Sequence, residues 1–337
     1  MIEILSIAGV ALAALAVLMV IVLVARRVVL ATGERRRTRL EDDLRTVALD
    51  VIDGEIDPAA TFSRAESRAL AVLVARYSRS LAGEARTNVA GFFEGRGDVR
   101  REIGLLTARR TWRRAAAAFA LGDMAASSSI PALTAALDDR SRDVRSAATR
   151  SLGRLGAVDA VPRLVDGFVS RAVPRGVGGF ALLNIGGAAR AELRGLASHD
   201  VAAVRSATAE LIGFVGTPAD APLLIGMLRD LAADVRGAAA VALGRVGADT
   251  AVVALRAALE DRVPQVRTAV ARSLGALDDI DATKALVRQA EHDLFEPAEA
   301  AARALALIDP VEAIEQGQVE GANPHLLHAA TLAELGR

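Results

Sequence analysis

Apolar residues follow two patterns along this chain: one continuous block near the start, then a spacing of three and four residues. Ile4 to Ala25 is a run of 22 residues without a charge, ILSIAGVALAALAVLMVIVLVA. At about 1.5 Å of rise per residue it would extend about 33 Å, enough to cross a hydrocarbon core of about 30 Å. Residues 1–27 are therefore expected to form a transmembrane anchor. A cleaved secretory leader would need a basic segment before a shorter apolar core and a small-residue cleavage site after it. Here only Met1, Ile2 and Glu3 precede the run, and Arg26-Arg27 close it. Arg26, Arg27, Arg35, Arg36, Arg37 and Arg39 all follow the run, and no basic side chain comes before it. The positive-inside rule then predicts a single pass with the N-terminus outside and the remainder in the cytoplasm. The same arginines are placed to meet anionic lipid headgroups.

Residues 28–110 read as a basic stretch followed by connecting helices. Leu40, Leu44, Val47 and Val51 fall on one helical stripe, ended by Asp53-Gly54. Leu70, Leu73, Tyr77 and Leu81 repeat the spacing, and two shorter helices are expected around Glu84–Glu94 and Asp98–Ala108. The first stripe is only about two heptads long, so packing within a domain suits it better than a coiled coil.

From residue 111 to about 310 the sequence repeats itself. VRSAATRSLGRLG from Val144 aligns with VRSATAELIGFVG from Val204, VRGAAAVALGRVG from Val235 and VRTAVARSLGALD from Val266. Looser copies start at Arg113, Val173 and Pro297. The arginines Arg114, Arg145, Arg175, Arg205, Arg236 and Arg267 recur at steps of 31, 30, 30, 31 and 31. Leu133, Leu164, Leu193, Leu224, Leu255 and Leu286, on a second predicted helix, keep nearly the same period. Two independent landmarks with one period mean an α-solenoid of about seven helix pairs, each unit burying its apolar face on its neighbours. Residues 311–337 are expected to form a helical cap.

The units are legible in detail. Pro131, Pro162 and Pro222 stand where a first helical turn tolerates a missing N–H. Glycines such as Gly153 and Gly156 are placed to close a helix. Alanines at 147, 148, 238 and 239 suit close helix approach. Asp143, Asp200, Asp234 and Asp261 precede the arginine helices and are expected to cap them or to pair with the arginines as an internal ladder. At these residues the pattern AVPxLxxxLxDxxxxVRxxAAxxLGxLG resembles the short bacterial HEAT repeats of about 30 residues, a type also found in phycobilin lyase subunits and deoxyhypusine hydroxylase. The resemblance implies a right-handed superhelix whose second helices line a concave binding face.

Composition narrows the function classes. Forty-one basic and 41 acidic residues balance, so no global field favours nucleic acid, and aromatics at 3 % leave few stacking platforms. There is no cysteine, which excludes disulfides, thiolate metal sites and a cysteine nucleophile. Lys284 is the single lysine beside forty arginines, as in a GC-rich bacterial genome, so the anchor is expected in a bacterial inner membrane. The hydroxylases that the repeat resembles hold two irons with His-Glu pairs. This chain has His199, His292, His325 and His328, no His-Glu dipeptide and no carboxylate in register with His325 and His328. Gly176-Val177-Gly178-Gly179 lacks the Gly-Lys-Ser/Thr of a phosphate loop and reads as a weakened helix.

No catalytic residue, metal site or cofactor is therefore expected. The functional expectation is a membrane-anchored, non-catalytic scaffold that binds a protein partner, in a narrower form an accessory subunit of an inner-membrane enzyme such as a glycosyltransferase. The alternative is a HEAT-type lyase or metal-dependent hydroxylase. Binding is expected along a stripe that varies between units, Phe119, Thr149, Arg150, Glu210, Val241 and Arg272, with Ser146, Ala209 and Thr268 beside it. The helices between Leu40 and Leu81 are the other candidate surface.

Overall fold

The computed structural model describes residues 19, 27, 39–56, 60–78 and 81–336, and among them every regular element is helical. The membrane expectation is corrected here. No helix among the described residues is long and apolar enough to cross a membrane. The longest, Arg64–Ser78, has 15 residues, about 22 Å at helical rise, and is amphipathic. A fold built around a single-pass anchor, with the location and orientation drawn from it, is therefore not what these helices form. The Ile4–Ala25 run lies outside the described residues except for Met19, as do Arg26, Arg35, Arg36 and Arg37.

The chain divides into two compact units, Met1–Arg101 with Asp123–Ala126, and Glu102–Gly122 with Ser127–Arg337. In the first, α1 (Arg45–Asp53), α2 (Arg64–Ser78) and α3 (Gly83–Gly95) pack through Leu44, Val51, Leu70, Leu73, Val89 and Phe93, all buried. The three-four stripe of the sequence thus faces inward. Gly54 ends α1 at φ 77, a left-handed position that favours glycine, and Asn88 donates to the Ile52 carbonyl beside it. A reciprocal Ser63–Glu66 cap starts α2. Helix α4 follows at Asp98–Leu105.

The second unit is the repeat array. Its longer helices are α5 (Thr111–Asp123), α7 (Arg142–Leu155), α9 (Arg175–Ile185), α11 (Ala202–Val215), α13 (Ala233–Arg245), α15 (Pro264–Ala276) and α17 (Phe295–Ile308). Between them run the shorter α6 (Ile130–Ala135), α8 (Val161–Val169), α10 (Gly187–Leu196), α12 (Ala221–Met227), α14 (Val252–Ala258) and α16 (Thr283–His292). Helices α18 (Pro310–Gly317) and α19 (Pro324–Leu335) end the array, each opened by a side-chain cap, from Asp309 and from Asn323. The leucine landmarks of the short helices are all buried, and so is the column Leu121, Leu152, Leu182, Ile212, Leu243, Leu274 and Leu305 of the long ones. Pro131, Pro162 and Pro222 do occupy first-turn positions.

Glycine has a different use from the one its spacing suggests. Gly156 closes α7 at φ 67, but Gly153 lies inside the helix. A Cβ there would stand 2.6 Å from Cα of Ala181 in the next long helix. Gly213, Gly244 and Gly275 meet Cα of Ala242, Ser273 and Ala304 at 3.0, 3.1 and 3.1 Å in the same way. The Leu-Gly pair therefore sets the closeness of successive long helices, a role for which any side chain is too large. In α9 the column breaks, with exposed Leu183 where the others have glycine. There α9 touches α11 far less than α7 touches α9 or α11 touches α13, and α8 also packs on α11.

Candidate functional site

The recurring arginines form a ladder, with partners other than those adjacent in sequence. Arg114 binds both carboxylate oxygens of Asp139, at 2.7 and 2.9 Å. Arg205 does the same to Asp230 and Arg236 to Asp261, and Arg267 pairs with Asp293. Each acid belongs to the loop before the next long helix. The remaining guanidinium N–H groups reach backward, from Arg145 to the Asp139 carbonyl, Arg236 to Asp230 and Arg267 to Asp261. One arginine thus joins three successive chain segments. Asp143 and Asp234 do not pair with the arginines two residues on; only Asp261 of the expected acids holds a rung. A bidentate guanidinium holds the carboxyls of Asp139, Asp230 and Asp261 below their ordinary range. At Asp293 burial pushes upward, but Arg267 with the Leu294 N–H and Gln289 prevails and the carboxyl is also lowered.

The ladder is interrupted where the glycine column breaks. Arg145 finds the Ala172 carbonyl, 2.8 Å away, in place of a carboxylate. Arg175 turns out of the ladder and pairs with Glu210 at 2.9 Å. Beside that pair lies a groove of about 700 Å³. Its floor comes from α11, α13 and α15: Ser206, Ala207, Glu210, Gly237, Ala238, Val241 and Ala269. Phe168, Val169 and Arg171 line it from the side of α8, and Asp234, Arg245 and Gln265 complete the lining. The small residues of the long helices therefore face a concavity.

Counted from each ladder arginine, the fifth residue on forms one column: Phe119, Arg150, Phe180, Glu210, Val241 and Arg272. Phe119, Arg150, Phe180 and Arg272 are exposed, and Glu210 and Val241 are half-buried in the groove lining. Thr149 is a correction. It is 2 % exposed and Ala209 is 0 % exposed, because one position before that column turns the side chain onto a neighbouring helix; Ser146 and Thr268, four before it, are each 8 % exposed. The sequence reading also passes over Arg154, Phe214 and Arg245. They lie four residues beyond the column, hence on the same helix face. Arg154 stacks over Phe119 at 4.3 Å and Arg245 over Phe214 at 4.6 Å.

At the far end, His325 and His328 of α19 do have a carboxylate in register. Both Nδ1 atoms face Glu299 of α17, at 3.3 and 3.1 Å, and Arg303 donates to the same carboxylate at 2.9 Å. With the Arg303 guanidinium already paired to it, Glu299 is the centre of a hydrogen-bonded cluster that docks α19. Among the described residues no group of three or more His, Asp or Glu side chains could hold a metal ion.

A model of HEAT repeats matches residues 103–182, 171–244 and 227–306. The chain belongs to the HEAT-repeat family. No curated protein matches it by sequence. Among solved structures, this HEAT-repeat chain is similar to human deoxyhypusine hydroxylase in complex with glycerol, at 20 % identity over 81 % of this chain and 98 % of that one, with a TM-score of 0.32. It is similar to the CpcE–CpcF complex of phycocyanin lyase from Nostoc sp. PCC7120, at 21 % identity, 70 % and 94 % coverage and a TM-score of 0.32. A chain of the Kap95p–RanGDP structure matches at 13 % identity, covering 86 % of this chain and 47 % of that one, with a TM-score of 0.48. No activity transfers from likenesses so distant. HEAT repeats commonly mediate contacts between proteins, and the solenoid is suited to binding or scaffolding.

Proposed function

We propose that this HEAT-repeat chain is a non-catalytic scaffold that holds a segment of another protein in the groove of α11, α13 and α15. One observation carries the reading: the fifth-residue column changes chemistry at every unit, while the buried leucine column beside it hardly changes. A constant frame supports a variable, accessible face. Alanine and glycine on the floor keep the concavity open, and arginine and phenylalanine give it ionic and apolar contacts of the type concentrated at interfaces. The narrower role beside a glycosyltransferase has no residue in the groove to select it.

The test uses a photo-cross-linking residue in cells, placed at Val241 in the groove or at Val253, 68 % exposed on α14. Val241 should give a discrete adduct with a second protein and Val253 should not. Gly237→Trp should remove the adduct, because a side chain at Gly237 meets open space on the groove floor. An adduct from Val253 alone, or one indifferent to Gly237→Trp, would move the binding face elsewhere.

A further inference from the structure

Although the whole chain is neutral, its charges are not evenly used. Four acids of the second unit, Asp139, Asp230, Asp261 and Asp293, are engaged in the ladder, and in the groove lining Glu210 is paired with Arg175. Arg245 in the groove lining, and Arg150 and Arg272 outside the lining on the same helix face, by contrast have no ion-pair partner among the described residues, and all three are exposed. Arg245 is held extended over the Phe214 ring, which is itself seated above Gly179, where a Cβ would stand 3.4 Å from the ring. That stacking fixes the guanidinium plane and leaves its N–H edge available. Asp234 also lines the groove, but it stands eleven residues before Arg245 on α13. Eleven residues are about 16 Å of helix, beyond the roughly 8 Å screening length of physiological salt. It does not neutralise that end.

We propose that the occupant of the groove is an acidic protein segment carrying large apolar side chains. The inference rests on the groove reading above and adds the chemistry of the partner. Carboxylates of the segment would take the open arginines, for which a planar guanidinium offers paired N–H donors. Its apolar side chains would cover Val241 on the floor and, beyond the lining, the exposed ring of Phe180, 57 % accessible. A nucleic-acid backbone would satisfy the arginines but leave these apolar surfaces uncovered, and the protein segment accounts for both.

The experiment is panning of a displayed random peptide library, about 16 residues long, on the immobilised full chain. Enriched peptides are then synthesised and titrated by fluorescence anisotropy, beside a single-stranded oligodeoxynucleotide of about 20 nucleotides. The enriched pool should be rich in Asp and Glu with interspersed Leu, Phe or Trp. Binding should weaken at least tenfold with Arg245→Glu/Arg272→Glu, weaken less with Arg245→Gln/Arg272→Gln, and be lost with Gly237→Trp. Raising salt from about 0.05 to about 0.5 M should weaken it as well. Circular dichroism of each variant should match the parent, since all these side chains are exposed or face open space. Peptides that need the groove but are neutral or basic would overturn the acidic partner and leave the groove reading standing. Peptides indifferent to Gly237→Trp, or no enriched peptide, would overturn both. An oligonucleotide that binds more tightly than the acidic peptides would assign the arginines to phosphate instead.

Discussion

Arg236 donates to both oxygens of Asp261, at 2.6 and 2.8 Å, across the boundary between two repeats, and both side chains are nearly buried. Such a pair contributes little if both partners are exchanged for apolar groups, but loss of one partner leaves an uncompensated charge in a poorly solvated site.

Asp261→Asn should therefore destabilise the array by about 2 kcal/mol, with urea denaturation as the measure. The control is Asp143→Asn. Asp143 sits two residues before Arg145 but is exposed and holds no rung, so its loss should cost less than about 0.5 kcal/mol. Equal costs at the two sites would mean that the ladder does not join the repeats.

The ladder also sets the acid limit of stability. Asp139, Asp230 and Asp261 are held below the ordinary aspartate value of 3.8 by their arginines. A lowered folded-state value means that their contribution is complete above the unfolded value and disappears as pH falls through the folded one. Stability should be level above about pH 5 and fall steeply below about pH 4, and Asp139→Asn/Asp230→Asn/Asp261→Asn should flatten that fall. Asp279 has the opposite sign. Burial, against a weaker pull from Arg256, raises its carboxyl, so Asp279→Asn should leave stability near neutral pH unchanged or higher.

The interior glycines separate two roles that sequence cannot. Gly153→Ala gains up to about 1 kcal/mol of helix propensity, yet its Cβ would meet Ala181 backbone at 2.6 Å. Net destabilisation of about 1–3 kcal/mol is expected from the overpacking. Gly237→Ala makes the same chemical change in α13 where the Cβ meets nothing, and it should stabilise by up to about 1 kcal/mol. Opposite signs in thermal denaturation would establish the close-approach role.

Much of this was visible in one sequence because a solenoid writes its contacts at a fixed period. The leucine columns, the prolines at first turns and the ladder arginines other than Arg175 fall where their spacing puts them. The ladder acids were misread because a partner 25 residues away in sequence is nearer in space than one two residues away. Gly153 was misread because Leu-Gly near a helix end looks the same whether the glycine turns the chain or admits a neighbour. Thr149 shows the resolution limit of a column: one residue is 100° of helix, enough to move a side chain from groove to interior. Glu299 was missed as the partner of His325 and His328 because that contact joins the last repeat to the cap, where no period applies. The apolar run at Ile4–Ala25 stands apart, since it carries no repeat against which its reading can be compared.

The break at α9 leads to the last prediction. Three glycines, Gly176, Gly178 and Gly179, fall within the 11 residues of α9, each costing about 1 kcal/mol of propensity against alanine. Gly178 and Gly179 have a packing reason, since Cβ atoms there would approach the rings of Phe168 at 3.2 Å and Phe214 at 3.4 Å. Gly176 has none; its Cβ would meet open space. With its ladder arginine redirected to Glu210 and its contact with α11 reduced, α9 lacks two of the ties that hold α13. Its amides should exchange with deuterium at least tenfold faster than those of α13, whose rung and glycine contacts are intact. Gly176→Ala should slow that exchange by up to about fivefold, the equivalent of about 1 kcal/mol of local stability, and should leave α13 unaffected. Uniform protection across α9 and α13 would show that the interrupted ladder and glycine column carry no local weakness, and that the groove beside them opens in a rigid frame.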